Sequence, residues 1–251
     1  MEPLSQLEKT RYARHLILPE IGLEGQQKLK AASVLVVGAG GLGSTICMFL
    51  AASGVGRIGV IDADTVDLSN LQRQVIHTTP RLGMPKAESA REQMLAINPE
   101  IEVAAITQRF TAENAHALAE GYQIFVDGTD NFATRLLIND LAVQTQRPFV
   151  YGAIYHFEGQ ASVFDASRGP CYRCLFPGQP PRDEPGAPPN GIFTPLPGTI
   201  ATLEASETIK LITGVGEPLI GRLLLYNALE MTFETIQLQK QPNCPVCGQR
   251  K

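Results

Sequence analysis

The sequence predicts an α/β fold built on a doubly wound, largely parallel sheet and extended by antiparallel strands. Three observations carry this. Short apolar runs rich in β-branched residues alternate with helix-patterned segments through residues 33–155. The first run, Val34-Leu35-Val36-Val37, leads straight into Gly38-x-Gly40-x-x-Gly43, the strand–turn–helix signature of a Rossmann-like unit. After Gly159 the pattern changes, and Gln160-Ala161-Ser162-Val163-Phe164 alternates as an antiparallel strand does.

Taken in order, Leu4, Leu7, Tyr12 and Leu16 are spaced as in a helix over 4–15, which puts Arg11 and Arg14 on one face. Residues 24–32 form a second short helix, and residues 1–32 precede the nucleotide-binding core predicted for 33–155. In that core the strand 34–37 and the small apolar helix 44–53 flank the glycine turn. The strand 57–61 ends at Asp62, and the polar stretch Asp67-Leu68-Ser69-Asn70-Leu71-Gln72-Arg73-Gln74 follows. Pro85 suits the first turn of a helix over 87–97. A weak strand over 101–106 and a helix over 112–121 come next, then the buried strand Ile124-Phe125-Val126-Asp127. The helix 132–145 and the strand 149–153 close the core. The remainder, 156–251, holds the antiparallel strand, a Pro-rich loop over 177–198, a helix over 199–213 stopped by Gly214, and a closing hairpin (223–227 and 231–238).

Length and composition bound the function. At 251 residues the chain can bury a full core. Its 21 basic and 25 acidic residues give a net charge of −4, so neither nucleic acid nor an acidic membrane is an expected partner. No apolar stretch is long enough to span a bilayer, and the start lacks the marks of a signal peptide. A cytoplasmic protein is expected.

The glycine turn between strand and helix is a phosphate site in outline, because backbone N–H groups and the helix dipole both favour an anion there. Asp62 stands about 20 residues on, where a ribose hydroxyl is held. The turn alone leaves open whether the nucleotide is a redox cofactor or ATP. Asn70, Arg73 and Lys86 lie beyond it as phosphate donors, though each taken singly reads as a surface residue. Asp130, in Gly128-Thr129-Asp130-Asn131 off a carboxyl strand end, reads either as a helix cap or as a Mg²⁺ ligand. Together these residues suit ATP better than a nicotinamide, since no His or Tyr/Lys pair stands at an obvious hydride-transfer position.

Four of the five cysteines form Cys171-x-x-Cys174 and Cys244-x-x-Cys247. Two such knuckles predict a tetrahedral zinc site with no open position, hence a structural metal. A redox-active Cys-x-x-Cys is the competing reading, but it is not normally doubled. Cys47 reads as a core residue.

Gly38 to Gly43, Asp62-x-Asp64, Asp67 to Gln74, Gly83-x-Pro85-Lys86, Asn98-Pro99, Thr129-Asp130-Asn131 and both Cys pairs occur in one order. From Arg11-Tyr12-x-Arg14 to Cys247 the chain resembles the MoeB/ThiF family, relatives of the ubiquitin-activating enzymes. The resemblance implies a single adenylation domain that joins ATP to the carboxyl-terminal glycine of a small ubiquitin-like sulfur-carrier protein ending in Gly-Gly. It further implies a homodimer, a bound Mg²⁺ and a separate sulfur donor. The nucleotide-binding set carried over is Gly38, Gly40, Gly41, Gly43, Asp62, Asp64, Ser69, Asn70, Leu71, Gln72, Arg73, Lys86, Asp130 and Asn131. Asp62 would hold the ribose, Asn70, Arg73 and Lys86 the phosphates, and Asp130 the metal, while Arg14 would reach the other subunit's ATP. The catalytic set is Arg14, Arg73, Lys86 and Asp130. Many members carry a cysteine in the loop before the last long helix, whereas here 185–193 contains none, and adenylation does not need that thiol. Three alternatives remain: an NAD-type oxidoreductase, a catalytically silent partner subunit, and an enzyme that adenylates another carboxylate, on a peptide or a modified tRNA base.

Overall fold

The computed structural model describes residues 3–178 and 191–248. Most of the Pro-rich 177–198 stretch therefore lies outside the described residues. One eight-stranded sheet organises the rest, in the order β3-β2-β1-β4-β5-β6-β7-β8. The parallel half comprises β1 (Ser33–Val37), β2 (Arg57–Ile61), β3 (Glu102–Ile106), β4 (Ile124–Asp127) and the start of β5 (Phe149–Tyr155). β1 and β4 are buried along their whole length, as expected for strands covered by helices on both faces. Strands β6 (Glu158–Phe164), β7 (Arg222–Asn227) and β8 (Thr232–Gln237) add the antiparallel half.

Two apolar layers sandwich the sheet. On one face α3 (Gly22–Ala31), α4 (Gly41–Ser53), α5 (Lys86–Ile97) and α9 (Pro195–Thr213) pack around Val34, Val36, Val60 and Val126. On the other, α6 (Ala115–Leu118), α7 (Phe132–Thr145) and the short α8 (Tyr172–Leu175) cover Leu35, Val37, Phe125 and Phe149. The alternation of β1 and β4 residues between these layers is the period-2 rule of a strand. No helix among the described residues is long and apolar enough to cross a membrane.

Three elements differ from the sequence expectation. The helix over 4–15 is two helices, α1 (Gln6–Arg11) and α2 (Ala13–Leu16), because Tyr12 leaves the helical geometry to bury its ring. Its hydroxyl accepts from Asn98 Nδ2 at 2.8 Å. The helix over 112–121 shrinks to α6, since the Asn114 side chain accepts from the Thr111 N–H and donates to the Arg109 carbonyl, folding the approach into a turn. The helix over 199–213 starts earlier, at Pro195. Proline in a first turn loses no hydrogen bond, so the end of the Pro-rich stretch is helical.

On α9, Glu204 is fully buried against β5, and neither carboxylate oxygen has a hydrogen-bond partner. A side chain at Gly152 would collide with that carboxyl. Burial pushes the Glu204 carboxyl well above the usual carboxylate range, aided by Asp127 and opposed by Arg135. The folded chain therefore keeps a proton that the unfolded chain releases above about pH 4.3. Stability falls as pH rises past that point, and Glu204→Gln removes the penalty. The variant's advantage in urea midpoint over wild type is expected to grow between about pH 4 and about pH 8. An advantage that is flat with pH would mean that Glu204 is ionised in the fold.

Candidate functional site

The site begins where β1 meets α4. Gly38 adopts φ +98°, a conformation that side chains rarely take, and its N–H donates to the Ile61 carbonyl at 2.7 Å. A Cβ at Gly38 would strike the Gly128 backbone, and one at Gly43 would strike the Gly38 carbonyl. By contrast a Cβ at Gly40 meets nothing closer than Gln74 Nε2 at 3.6 Å. The turn is thus uncrowded at Gly40 while its inner side is closed, and at Gly41 a Cβ would already press on Pro197 of α9 at 3.3 Å. α4 opens without a side-chain cap, so its first N–H groups and its dipole face the turn.

Asp62 follows β2 and holds the turn. One oxygen accepts the Ala39 N–H at 2.8 Å and the other the Asp64 N–H at 2.8 Å. Lys86 opens α5 and is buried, with its Nζ 3.2 Å from Asp64 Oδ2. In the polar stretch, Asp67 accepts from the Ser69 N–H and hydroxyl, and these bonds hold its carboxyl below the usual range. Gln74 donates to Asn70 Oδ1 at 2.8 Å, and Arg73 donates to the Ser69 carbonyl at 3.3 Å. The Arg73 stem reaches the glycine turn, since a Cβ at Gly41 would lie 3.8 Å from Arg73 Cγ. Gln74 is buried with its Oε1 unpartnered. Gln72 donates to the Ile192 carbonyl at 3.4 Å and accepts from Thr194, which ties this stretch to the entry of α9. Ser69 and Leu71 belong to the same stretch.

The opposite wall is the β4–α7 turn. Asn131, not Asp130, caps α7, accepting the Thr134 N–H at 2.9 Å. Asp130 stays exposed, its carboxylate without a partner among the described residues. The turn is fixed from below by a pair that sequence reasoning missed. Asp127 is fully buried, 2.8 Å from Arg135 Nε, and it also accepts from the Thr129 N–H and hydroxyl. Arg135 donates as well to the Thr129 carbonyl at 2.8 Å. Burial pushes the Asp127 carboxyl up, against the pull of Arg135 and Thr129. The signal was an acid ending an apolar strand with an arginine in the first turn of the next helix, since a buried Asp needs a partner.

Arg14 does not join this constellation. Tyr12 and His15, on either side of it, pack at the carboxyl ends of α4 and α5, through Gly54, Asn98 and Gln26. Gln26 continues to the Ser53 carbonyl. That places Arg14 one length of the 13-residue α4 from its own glycine turn, about 20 Å.

Away from the turn, the four sulfurs of Cys171, Cys174, Cys244 and Cys247 lie within 4.8 Å of one another. Cys171 and Cys244 are 3.6 Å apart, and Cys174 and Cys247 are 3.4 Å apart. No disulfide joins them. A tetrahedral zinc with Zn–S of about 2.3 Å separates its sulfurs by about 3.8 Å, so the cluster could hold zinc with little adjustment. α7 grips this knuckle: Asn139 accepts the Tyr172 N–H, and Asp140 accepts from Arg173 Nε and Nη2, each at 2.7 Å. Cys47 is fully buried, and burial pushes its thiol up to about 12, which leaves it inert as a nucleophile.

The ThiF family model matches residues 12–246. A sulfur carrier protein adenylyltransferase of Thermus thermophilus is 49% identical over 96% of this chain and 91% of its own length. A probable adenylyltransferase/sulfurtransferase MoeZ of Mycobacterium tuberculosis is 51% identical over 96% of this chain, which spans 63% of that relative. Among solved structures, E. coli MccB with ATP has a TM-score of 0.86 at 25% identity, covering 98% of this chain and 77% of that one.

The Asp127–Arg135 pair yields a stability test. Arg135→Leu leaves a carboxylate buried without its counter-charge and is expected to cost about 3–5 kcal/mol. Adding Asp127→Asn should recover a large part of that loss in a double-mutant cycle read by chemical denaturation. Strict additivity would mean that the pair does not act as a unit.

Proposed function

The chain belongs to the ThiF family, and on that premise we propose that it adenylates the terminal glycine carboxylate of a small ubiquitin-like sulfur-carrier protein with ATP. One observation carries the reading. The glycine turn after β1, the Arg73 stem against it, the buried Lys86 and the exposed Asp130 all sit at the carboxyl ends of neighbouring strands, where this class of sheet binds ligands.

The chemistry asks little covalent help of the protein. A carboxylate oxygen of the carrier attacks the α-phosphorus of ATP, the C–O–P bond forms, the α–β P–O bond breaks, and pyrophosphate leaves. Carboxylate and phosphate are both anions, so the protein must place them in line and balance their charge. The glycine turn and the start of α4 offer N–H groups, and Asp62 is positioned for the ribose. Arg73 and Lys86 carry positive charge to the phosphates, with Asn70 beside them. Asp130 would hold Mg²⁺, which supplies further charge neutralisation. No general base is needed, because the carboxylate is ionised at neutral pH. With Cys47 buried and no cysteine in 177–198, sulfur comes from a separate donor.

Arg14 lies too far from its own turn to act there, which supports a homodimer in which each protomer lends Arg14 to its partner's site. The four-cysteine cluster holds a structural zinc, and its thiolates suit the reducing cytosol.

ATP–pyrophosphate exchange dependent on carriers ending in Gly-Gly tests the reaction. Exchange is expected with at least one carrier of a panel; NAD(H) binding without exchange would favour the oxidoreductase reading instead. Asp130→Ala should lower exchange by roughly 10²–10³ or more with the fold intact. Arg14→Ala should be inactive alone yet regain activity when exchanged with Asp130→Ala subunits, because one composite site is then complete. No recovery in subunits shown to mix would refute the shared site. Metal analysis should find one zinc per chain, and Cys171→Ser should lower melting temperature; four free thiols without metal would exclude it.

A further inference from the structure

His77 sits beneath the glycine turn, 5% exposed, with both ring nitrogens engaged. Nε2 lies 2.9 Å from the Ala39 carbonyl and Nδ1 lies 2.9 Å from Ser89 Oγ. A carbonyl can only accept, so Nε2 carries the proton. Burial, with Lys86 and Arg81 nearby, holds the imidazole below the usual histidine range, against the Ala39 bond and Asp62. The neutral ring then has a bare Nδ1 that accepts the Ser89 hydroxyl.

This bond fixes a direction. The Ala39–Gly40 peptide is trans, as is every peptide among the described residues. In a trans peptide the carbonyl and the following N–H point in opposite directions. His77 draws the Ala39 carbonyl inward, so the Gly40 N–H points the opposite way, away from the imidazole, at a position where a Cβ would meet nothing closer than Gln74 Nε2 at 3.6 Å. Among the described residues that N–H has no acceptor. The neighbouring peptides are held too: the Ala39 N–H on Asp62, and the Gly40 carbonyl on the Ser44 N–H at 2.9 Å. Ser89 lies three residues after Lys86 on α5, so one imidazole ties the turn's donor to the helix that carries the lysine.

We propose that His77 is a positioning residue that aims the Gly40 N–H at the phosphate of the bound nucleotide and fixes it relative to Lys86. The inference rests on the nucleotide lying over the glycine turn, as the adenylation reading requires. His77 touches no reacting atom; it acts through the turn.

The test uses the full, zinc-loaded chain and binding of α,β-methylene-ATP and adenosine by calorimetry. His77→Leu is expected to weaken the triphosphate analogue by about tenfold and to leave adenosine unchanged. His77→Gln, whose amide N–H can still reach the Ala39 carbonyl, is expected to restore binding to within about threefold of wild type. Equal binding of the analogue by wild type and a folded His77→Leu overturns this inference alone. An equal loss for adenosine and the analogue does so too, because it marks a general disturbance. A wild type that binds neither the analogue nor ATP overturns the adenylation reading, and this inference falls with it. Should His77→Leu fail to fold, ¹⁵N NMR of the wild-type ring decides: a proton on Nε2 with a bare Nδ1 supports the assignment, and the opposite tautomer refutes it.

Discussion

Two glycine backbones in contact set the geometry of the whole site. Gly38 follows β1 and Gly128 follows β4, and neither leaves room for a methyl group against the other. The Gly128 N–H completes the join by donating to the Val37 carbonyl at 2.7 Å. The strand order explains why the contact falls here. From β1 the chain winds outward through β2 to β3, and from β4 it winds the other way toward β5. The crossovers part at this seam, so the turns above β1 and β4 face each other across a crevice. The turn rich in N–H groups and the turn that bears Asp130 are thereby held at a fixed spacing by main chain rather than by side chains.

Below that seam the protein spends buried charge on position. Ionic pairs taken out of water contribute little net stability. Asp127 and Arg135 nevertheless occupy the interior, and their remaining hydrogen bonds go to the Thr129 turn. On the opposite face Glu204 sits unpaired beside Gly152. An apolar pair in place of Asp127 and Arg135 would pack more favourably, but it could not orient the Thr129 turn; Glu204, with neither oxygen hydrogen-bonded, orients nothing. The core is therefore divided between layers that stabilise, built on Val34, Val36, Leu35 and Phe125, and polar groups that hold the site's walls.

How much of this was legible follows from what each residue's signal depends on. The parallel strands and the glycine turn announce themselves through local pattern: Val34 to Val37 must be strand, and Gly38 must turn. The Cys pairs were readable because metal geometry imposes a spacing. Tyr12 was not readable as a helix breaker, since its buried partners, Gly54 and Asn98, are distant in sequence. Pro195 misled in the other direction: a proline-rich stretch reads as loop, while a helix start tolerates proline. His77 carried no signal at all, because its role depends on a backbone carbonyl 38 residues earlier. Asp130 was legible as an acid off a strand end, yet the capping role weighed for it belongs to its neighbour Asn131.

α7 gives the molecule a property that neither of its ends has alone. Asn131 at its amino end anchors the turn bearing Asp130, and Asp140, nine residues on, grips Arg173 of the thiol knuckle. About 13 Å of rigid rod joins them. The knuckle therefore docks on the same rigid element that holds the turn bearing Asp130, so the packing of the sulfur cluster and the far wall of the crevice share one support.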